Sequence, residues 1–219
     1  MKCLWTLGLG ACLSTAWAQA QKPDVLLVLV DQWSPRDTPR WGTMAKTPNL
    51  DAVAAEGMRF NSAYSPSPMC MPARVALLTG QYPHNTQLWC NTREYTPQLS
   101  QATLFSDMKR AGYTTAQVGK IHWVSGNAWK RNHGFESITD FYRAIGVDHV
   151  DNLPSPFSVP NDKGPYAQYL KSIGKFEAVA KDMHDRISGD NWEVKASVCT
   201  PEEHNEMFVA KRAIEYLEK

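Results

Sequence analysis

The sequence predicts an α/β fold in which a mostly parallel sheet is sandwiched between helices. Val25–Val30 is an unbroken run of β-branched and aliphatic residues, which is typical of a strand buried on both faces. Candidate strands and helices then alternate as far as Val118, and this alternation is characteristic of an α/β sandwich. The length of 219 residues fits one domain of ordinary size.

The segment before the first strand has the pattern of a secretory signal, which we assign to residues 1–20. A basic second residue precedes the apolar run Leu4–Leu13, and a small-x-small cleavage motif ends at Ala18 or Ala20. The apolar run is too short to cross a bilayer. We therefore expect an exported, periplasmic or extracellular protein, with lipid anchoring at Cys12 as the alternative.

The composition argues against nucleic acid and membranes as partners. A formal net charge of +1 provides no basic surface for nucleic acid or for an anionic membrane. After the signal, Val25–Val30 is the longest apolar run, so no transmembrane segment is predicted.

The next elements follow from capping signals. Thr47 is a candidate N-cap with Pro48 at the first helical position, and Gly57 ends this helix. Met58–Tyr64 is predicted to be the second strand, and a helix is expected to start near Pro72.

The second half contains one clear helix and strand before the pattern weakens. Thr103–Ala111 is predicted to be an amphipathic helix, and Tyr113–Val118 a third strand. Residues 127 to about 189 are rich in turn-forming residues, and we expect long loops with short helices there. Thr200–Glu203 is a capping box that opens a last helix. The expected apolar face of that helix consists of Met207, Ala210, Ile214 and Leu217.

An alternating chain should continue into another strand after this helix, and a sheet of about three strands is poorly suited to bury these helices. We therefore interpret residues 21–219 as the N-terminal part of a larger, truncated α/β domain.

Asp31 and Gln32 directly follow the first predicted strand. Ligands of α/β folds collect at the carboxyl ends of strands. A carboxylate beside an amide oxygen suits a hard cation such as Ca²⁺. The alternative is an aspartate that only caps a loop.

Cys70 stands between two prolines, with Arg74 four residues later. A helix that begins near Pro72 would place its unpaired N–H groups and this arginine close to the sulfur, where they favour an anion. The alternatives are a small buried thiol and a solvated surface arginine.

Lys120 and His122 are two residues apart at the end of the third predicted strand. In an extended segment both would project from one face and suit an oxyanion. Taken alone, such residues are more often found on the surface.

Two motifs carry a family resemblance. Cys70–Gly80 matches C-x-P-x-R followed by four residues and Thr-Gly, and Gly112–His122 matches G-Y-x-T-x-x-x-G-K-x-H, with every fixed position present. The chain resembles the formylglycine-dependent sulfatases of the alkaline-phosphatase-like superfamily. The resemblance implies that a maturation enzyme converts Cys70 to formylglycine, whose hydrate is the nucleophile, and that Arg74, Lys120 and His122 bind the sulfate.

The resemblance also implies a divalent metal, Ca²⁺ or else Mg²⁺ or Mn²⁺, bound by Asp31, Gln32 and the modified Cys70. Gln32 stands where aspartate is more usual, and some phosphonate-hydrolase-like members of the superfamily carry glutamine there. The expected reaction is hydrolysis of a sulfate monoester, with a sulfated glycan or a small choline-sulfate-like molecule as substrate. The alternatives are a phosphonate or phosphate mono- or diester hydrolase, and a truncated non-catalytic relic or sugar-binding fragment.

The family also needs a histidine near the leaving group, a second acidic metal-binding pair and another lysine. The polar groups at Asp182, His184, Asp185 and His204 are interpreted as solvated and do not substitute for them. The isolated 219-residue chain is therefore expected to be inactive.

Outside the signal the cysteines are Cys70, Cys90 and Cys199. An odd count in an exported chain fits one modified thiol and a Cys90–Cys199 disulfide. Two separate buried thiols remain the alternative.

Overall fold

The computed structural model describes residues 22–31, 33–34, 46–91, 95–153, 156–188 and 196–219. The chain divides into an N-terminal unit, residues 1–58, and a main unit, residues 59–219. Each unit is described by itself. Among the described residues, no helix combines the length and the hydrophobicity needed to span a membrane. The predicted signal at residues 1–20 lies outside the described residues.

The N-terminal unit corrects one prediction and confirms another. Val25–Val30 forms no strand, and its side chains are 51% to 72% exposed. A strand buried on both faces needs hydrogen-bonded neighbours, and none of the described residues pairs with this segment. Helix α1, Pro48–Glu56, begins and ends as predicted, with Gly57 as its C-cap. It buries none of its residues.

The prediction of a strand at Met58–Tyr64, where the N-terminal unit ends and the main unit begins, is wrong, because this segment is irregular and exposed. Regular structure starts at the nucleophile candidate. The elements that follow are α2 Cys70–Thr79, α3 Pro83–Thr86, α4 Leu104–Arg110, β1 Ala116–Gly119, α5 Ala128–His133, α6 Ile138–Ala144, β2 His149–Asn152, α7 Pro165–Ser172, α8 Phe176–Ser188 and α9 Asn205–Leu217.

Strands β1 and β2 are parallel, with Ala116 opposite His149 and Gly119 opposite Asn152. Helices α5 and α6 lie between them in sequence, as a parallel crossover requires. The sequence predicted a mostly parallel sheet, and the two strands are indeed parallel. Strand β2 itself was not predicted, since His149–Asn152 has one apolar residue and no strand periodicity.

The main core joins α2, α6 and the segment after β1. Met71 and Val75 from α2 are fully buried beside Phe141 and Tyr142 from α6. Trp123, from the segment after β1, packs edge-on against Tyr142, with ring centroids 5.5 Å apart. The core therefore fixes the start of α2 relative to the end of β1.

Helix α9 packs against the sheet through a different face from the predicted one. Arg212 Nε donates to Asp151 Oδ2 at 2.7 Å, and Tyr216 stacks on His149 with centroids 4.5 Å apart. These residues, which lie four positions apart on α9, define the docked face. The predicted apolar face is exposed at Met207, Ile214 and Leu217, by 42%, 53% and 62%.

The capping box before α9 is confirmed. The backbone N–H of Thr200 donates to Glu203 Oε2 at 3.0 Å, and the box opens a short 3₁₀ helix, Pro201–Glu203, ahead of α9. His204 follows as the N-cap of α9 and is only partly exposed, because its ring contacts Glu206 and Ser197.

Candidate active site

Cys70 is the first residue of α2, so the helix begins two residues before the expected position. The loop leading to it is held by its own serines: Ser65 Oγ donates to the Ser67 carbonyl at 2.6 Å, and the Met69 N–H donates to Ser67 Oγ at 3.2 Å. Met69 is extended, so the chain turns into the helix at the cysteine. The sulfur is therefore presented at a helix N-terminus, where backbone N–H groups favour negative charge.

Asn91 is a residue of this site that the sequence analysis missed. Its Oδ1 accepts a hydrogen bond of 2.9 Å from the N–H of Met71, the residue after Cys70. A side chain distant in sequence thus satisfies one of the orphan donors of the first turn. No local sequence motif predicts this contact, because the two residues are 20 positions apart.

Arg74 connects α2 to the end of β1. The residue is 9% exposed, and its guanidinium donates from Nη1 to the backbone carbonyl of Lys120 at 2.7 Å. The sequence predicted a contact with the nucleophile or with a metal-bound carboxylate, and the structure adds this backbone contact. The alternative of a solvated surface arginine is wrong, since the side chain is buried.

Lys120 is brought to the cysteine. Its Nζ lies 3.4 Å from Cys70 Sγ, across 50 residues of sequence. Since Arg74 holds the backbone of the same residue, the ammonium group is positioned from both ends. The structure thus brings the Lys120 ammonium group to Cys70 and the Arg74 guanidinium to the backbone of Lys120.

His122 has a different backbone conformation from the expected one. Strand β1 ends at Gly119, and His122 has φ of +54°, which is uncommon for a residue with a Cβ. Lys120 and His122 are therefore not alternate residues of an extended strand. The Nδ1 atom of His122 is buried. Left-handed residues of this kind concentrate at functional sites.

Of the predicted metal ligands, Asp31 belongs to the N-terminal unit and Cys70 to the main unit, and each is described within its own unit. Asp31 lies in an exposed turn of the N-terminal unit, and Gln32 lies outside the described residues. Among the described residues, no group of three or more His, Cys, Asp or Glu side chains is placed to hold a metal. The proposed Cys90–Cys199 disulfide is absent from the structure, and neither cysteine is joined to Cys70.

The family model for sulfatases matches residues 23–215. The chain belongs to the sulfatase family. It is 39% identical over 126 residues to choline-sulfatase of Rhizobium meliloti, covering 56% of this chain and 24% of that protein. It is 34% identical over 173 residues to arylsulfatase A of Bos taurus, covering 75% and 31%. An ulvan-active sulfatase of Formosa agariphila is 33% identical over 172 residues, covering 67% and 32%.

The sulfatase chain thus spans less than a third of the length of these relatives. Among solved structures it is similar to phosphonate monoester hydrolase of Agrobacterium radiobacter, with a TM-score of 0.67 and 24% identity over 90% of this chain and 38% of that one. At this identity the likeness shows the fold alone. It confirms the predicted α/β fold of the alkaline-phosphatase-like hydrolases.

Proposed function

We propose that the complete gene product hydrolyses a sulfate monoester, with formylglycine derived from Cys70 as nucleophile. The observation that carries this proposal is the 3.4 Å contact between Lys120 Nζ and Cys70 Sγ at the N-terminus of α2. A fixed ammonium and a set of helix N–H groups at one atom provide the electrostatics that an attacking oxygen and a sulfuryl group need. Membership of the sulfatase family supports the same reaction.

The modification supplies the chemistry that a thiol lacks. A maturation enzyme, using an external oxidant that takes two electrons and supplies one oxygen atom, converts the Cys70 side chain to an aldehyde as the C–S bond breaks and the sulfur leaves as hydrogen sulfide. Water then adds to the aldehyde to give a geminal diol. One diol oxygen loses its proton and attacks sulfur, and the S–O bond to the alcohol breaks as the alcohol takes a proton. The second hydroxyl then loses its proton, the C–O bond to sulfate breaks, and the aldehyde is restored.

The residues of this chain take distinct parts in that sequence. Lys120 offsets negative charge on the nucleophile and the sulfuryl oxygens, and His122 provides a second group for those oxygens. Arg74 orients Lys120 through its carbonyl, and Asn91 holds the turn that carries the nucleophile. Asp31, Gln32 and the modified Cys70 would supply oxygen ligands for Ca²⁺, Mg²⁺ or Mn²⁺.

Mass spectrometry of the peptide that contains Cys70, taken from the native host, tests the nucleophile. We expect the mass of formylglycine in wild-type protein and no sulfate-ester turnover in Cys70→Ala. Cys90→Ala is the matched control and should keep both the modification and the activity. An unmodified thiol in an active enzyme would overturn the proposal.

A phosphonate or phosphate ester hydrolase is the second candidate. Gln32, in place of the more usual aspartate, is the feature that favours it. Turnover of an aryl sulfate and an aryl phosphonate by the complete gene product separates the two, since the proposal requires the sulfate to be the better substrate.

We place the substrate among sulfated glycans and the enzyme outside the cytoplasm. The signal-like residues 1–20 and the similarity to an ulvan-active sulfatase support these assignments. Recovery of the protein in the periplasmic or culture fraction, with cleavage after residue 18 or 20, tests the location.

A further inference from the structure

A cleft of about 280 Å³ lies beside the loop that leads to Cys70. Small-molecule sites begin near this size, at about 300 Å³, so the cleft is suited to a group of single-ring dimensions. Its walls come from the loop before the nucleophile and from the segment after α2. The lining residues are Pro66, Ser67, Pro68, Tyr82, Pro83, His84 and Trp89.

The cleft is close to the candidate nucleophile. Ser67, one of its lining residues, accepts a hydrogen bond from the N–H of Met69, the residue directly before Cys70. Three residue steps separate Ser67 from Cys70, which limits their Cα separation to about 11 Å. A substrate whose sulfate lies at Cys70 could therefore place its next ring in the cleft.

The lining presents aromatic faces to solvent. Tyr82 and His84 stack on each other with centroids 5.7 Å apart and planes only 10° from parallel, so each ring covers part of one face of the other. Tyr82 is 62% exposed and Trp89 is 58% exposed, although Leu88, next to Trp89, is fully buried. Because Leu88 is anchored in the core, the backbone turns Trp89 outward. These rings contribute to the cleft wall and not to the core.

The chemistry of the lining favours a sugar ring. Flat apolar panels stack on the C–H faces of a pyranose, while the Ser67 hydroxyl and the His84 ring nitrogens offer hydrogen bonds to its hydroxyl groups. A quaternary ammonium group is bound by aromatic faces arranged as a cage. Here Tyr82 and His84 stack on each other, so these two rings leave no space between them for such a cation. The lining also includes no carboxylate.

We propose that the cleft between residues 66–68 and Tyr82–Trp89 binds the pyranose ring of the substrate's alcohol portion. This inference rests on the proposed sulfatase function and names the substrate class of that site. Tyr82 and Trp89 are the stacking residues, and they act on binding of the ring without touching the sulfate.

The test compares Trp89→Ala and Tyr82→Ala with Phe60→Ala, which removes an aromatic side chain that is 74% exposed and outside the cleft lining. With the complete gene product and a sulfated oligosaccharide, both cleft variants should raise KM roughly tenfold with little change in kcat. Phe60→Ala should match wild type, and Trp89→Phe, which keeps a ring, should recover most of the affinity. The inhibition constant of inorganic sulfate should not change in any variant.

An unchanged KM in both alanine variants would overturn the cleft proposal, as would a larger effect on choline sulfate or an aryl sulfate than on the oligosaccharide. If wild-type protein neither turns over sulfate esters nor binds inorganic sulfate, the sulfatase proposal itself has failed. In that case saturation-transfer NMR with the unsulfated oligosaccharide tests the cleft separately. Contacts present in wild type and lost in Trp89→Ala would support it, and their absence in wild type would overturn it.

Discussion

Two apolar segments of this chain have opposite environments. Val25–Val30 is at least 51% exposed at every position. Ile121, Trp123 and Val124, which follow β1, are at most 6% exposed and belong to the main core. The second segment is covered by side chains of α2 and α6, whereas the first has no described strand to pair with. Burial of an apolar segment is thus favourable, but it occurs only where neighbouring elements of the fold cover that segment.

The difference extends to chemistry. Lys120 stands at the edge of the covered segment, and its backbone and ammonium positions are both fixed by contacts with α2. Asp31, at the end of the exposed run, is itself exposed within its unit. A group built onto a packed core is held in one geometry, as preorganised electrostatics requires.

The largest expected effect comes from removing the fixed charge at the packed site. Lys120→Ala in the complete gene product should lower kcat/KM for a sulfate ester by about 10²- to 10³-fold, because a preorganised donor at the developing charge is lost. Lys130→Ala is the control. Lys130 lies in α5, the helix that follows β1, and its side chain is 54% exposed and pairs with Glu136. Equal rates in both variants would remove Lys120 from the active site.

A stability comparison tests the two apolar segments directly. Phe141→Ala should cost about 3–5 kcal/mol, since the ring is fully buried in the core that covers the second segment. Val28→Ala, at a position 72% exposed, should stay within about 0.5 kcal/mol. Urea unfolding of the 219-residue chain measures both. A Val28→Ala cost of several kcal/mol would mean that the Val25–Val30 run is buried after all.

Local signals were predicted well from the sequence. The helix predicted over Thr103–Ala111 is α4, whose N-cap Thr103 accepts a hydrogen bond of 3.0 Å from the Ser106 N–H, and the predicted Thr200 box caps the 3₁₀ helix before α9. These predictions succeed because the donor and acceptor are three residues apart, so the sequence contains the whole interaction.

Long-range features were predicted less well. Strand β2 exists because β1 supplies its partner, and Asn91 reaches Met71 across the fold. The prediction of which face of α9 packs against the fold was wrong for the same reason. Arg212 and Tyr216 contact residues of β2, and helical periodicity alone does not identify such contacts. At the site, motif matching named Cys70, Arg74 and Lys120, and the fold supplied the carbonyl of Lys120 as the partner of Arg74.

The smallest expected effect concerns acid stability within the packed region. Asp148, just before β2, accepts hydrogen bonds from Lys109 Nζ and from the N–H and hydroxyl of Thr115, just before β1. The Lys109 hydrogen bond, followed by that from the Thr115 backbone, lowers the pKa of Asp148 below the ordinary value of 3.8. The unfolded chain therefore binds the proton more readily than the folded one, and this contribution to stability is present above pH 3.8.

As the pH falls below that value, the contribution is lost. Because Asp148 is 31% exposed and Lys109 is 53% exposed, it should amount to less than about 1 kcal/mol. Asp148→Asn should therefore be slightly less stable than wild type at neutral pH and should lose less stability between pH 5 and pH 2, followed by urea unfolding at each pH. Lys109→Met, which removes the strongest of the causes, should flatten the same acid slope while leaving the Thr115 contacts in place. If the free energy of unfolding fell equally with decreasing pH in wild type and in both variants, the hydrogen bonds of Asp148 with Lys109 and Thr115 would contribute nothing to the pH dependence. The packed region would then be stabilised by its core alone.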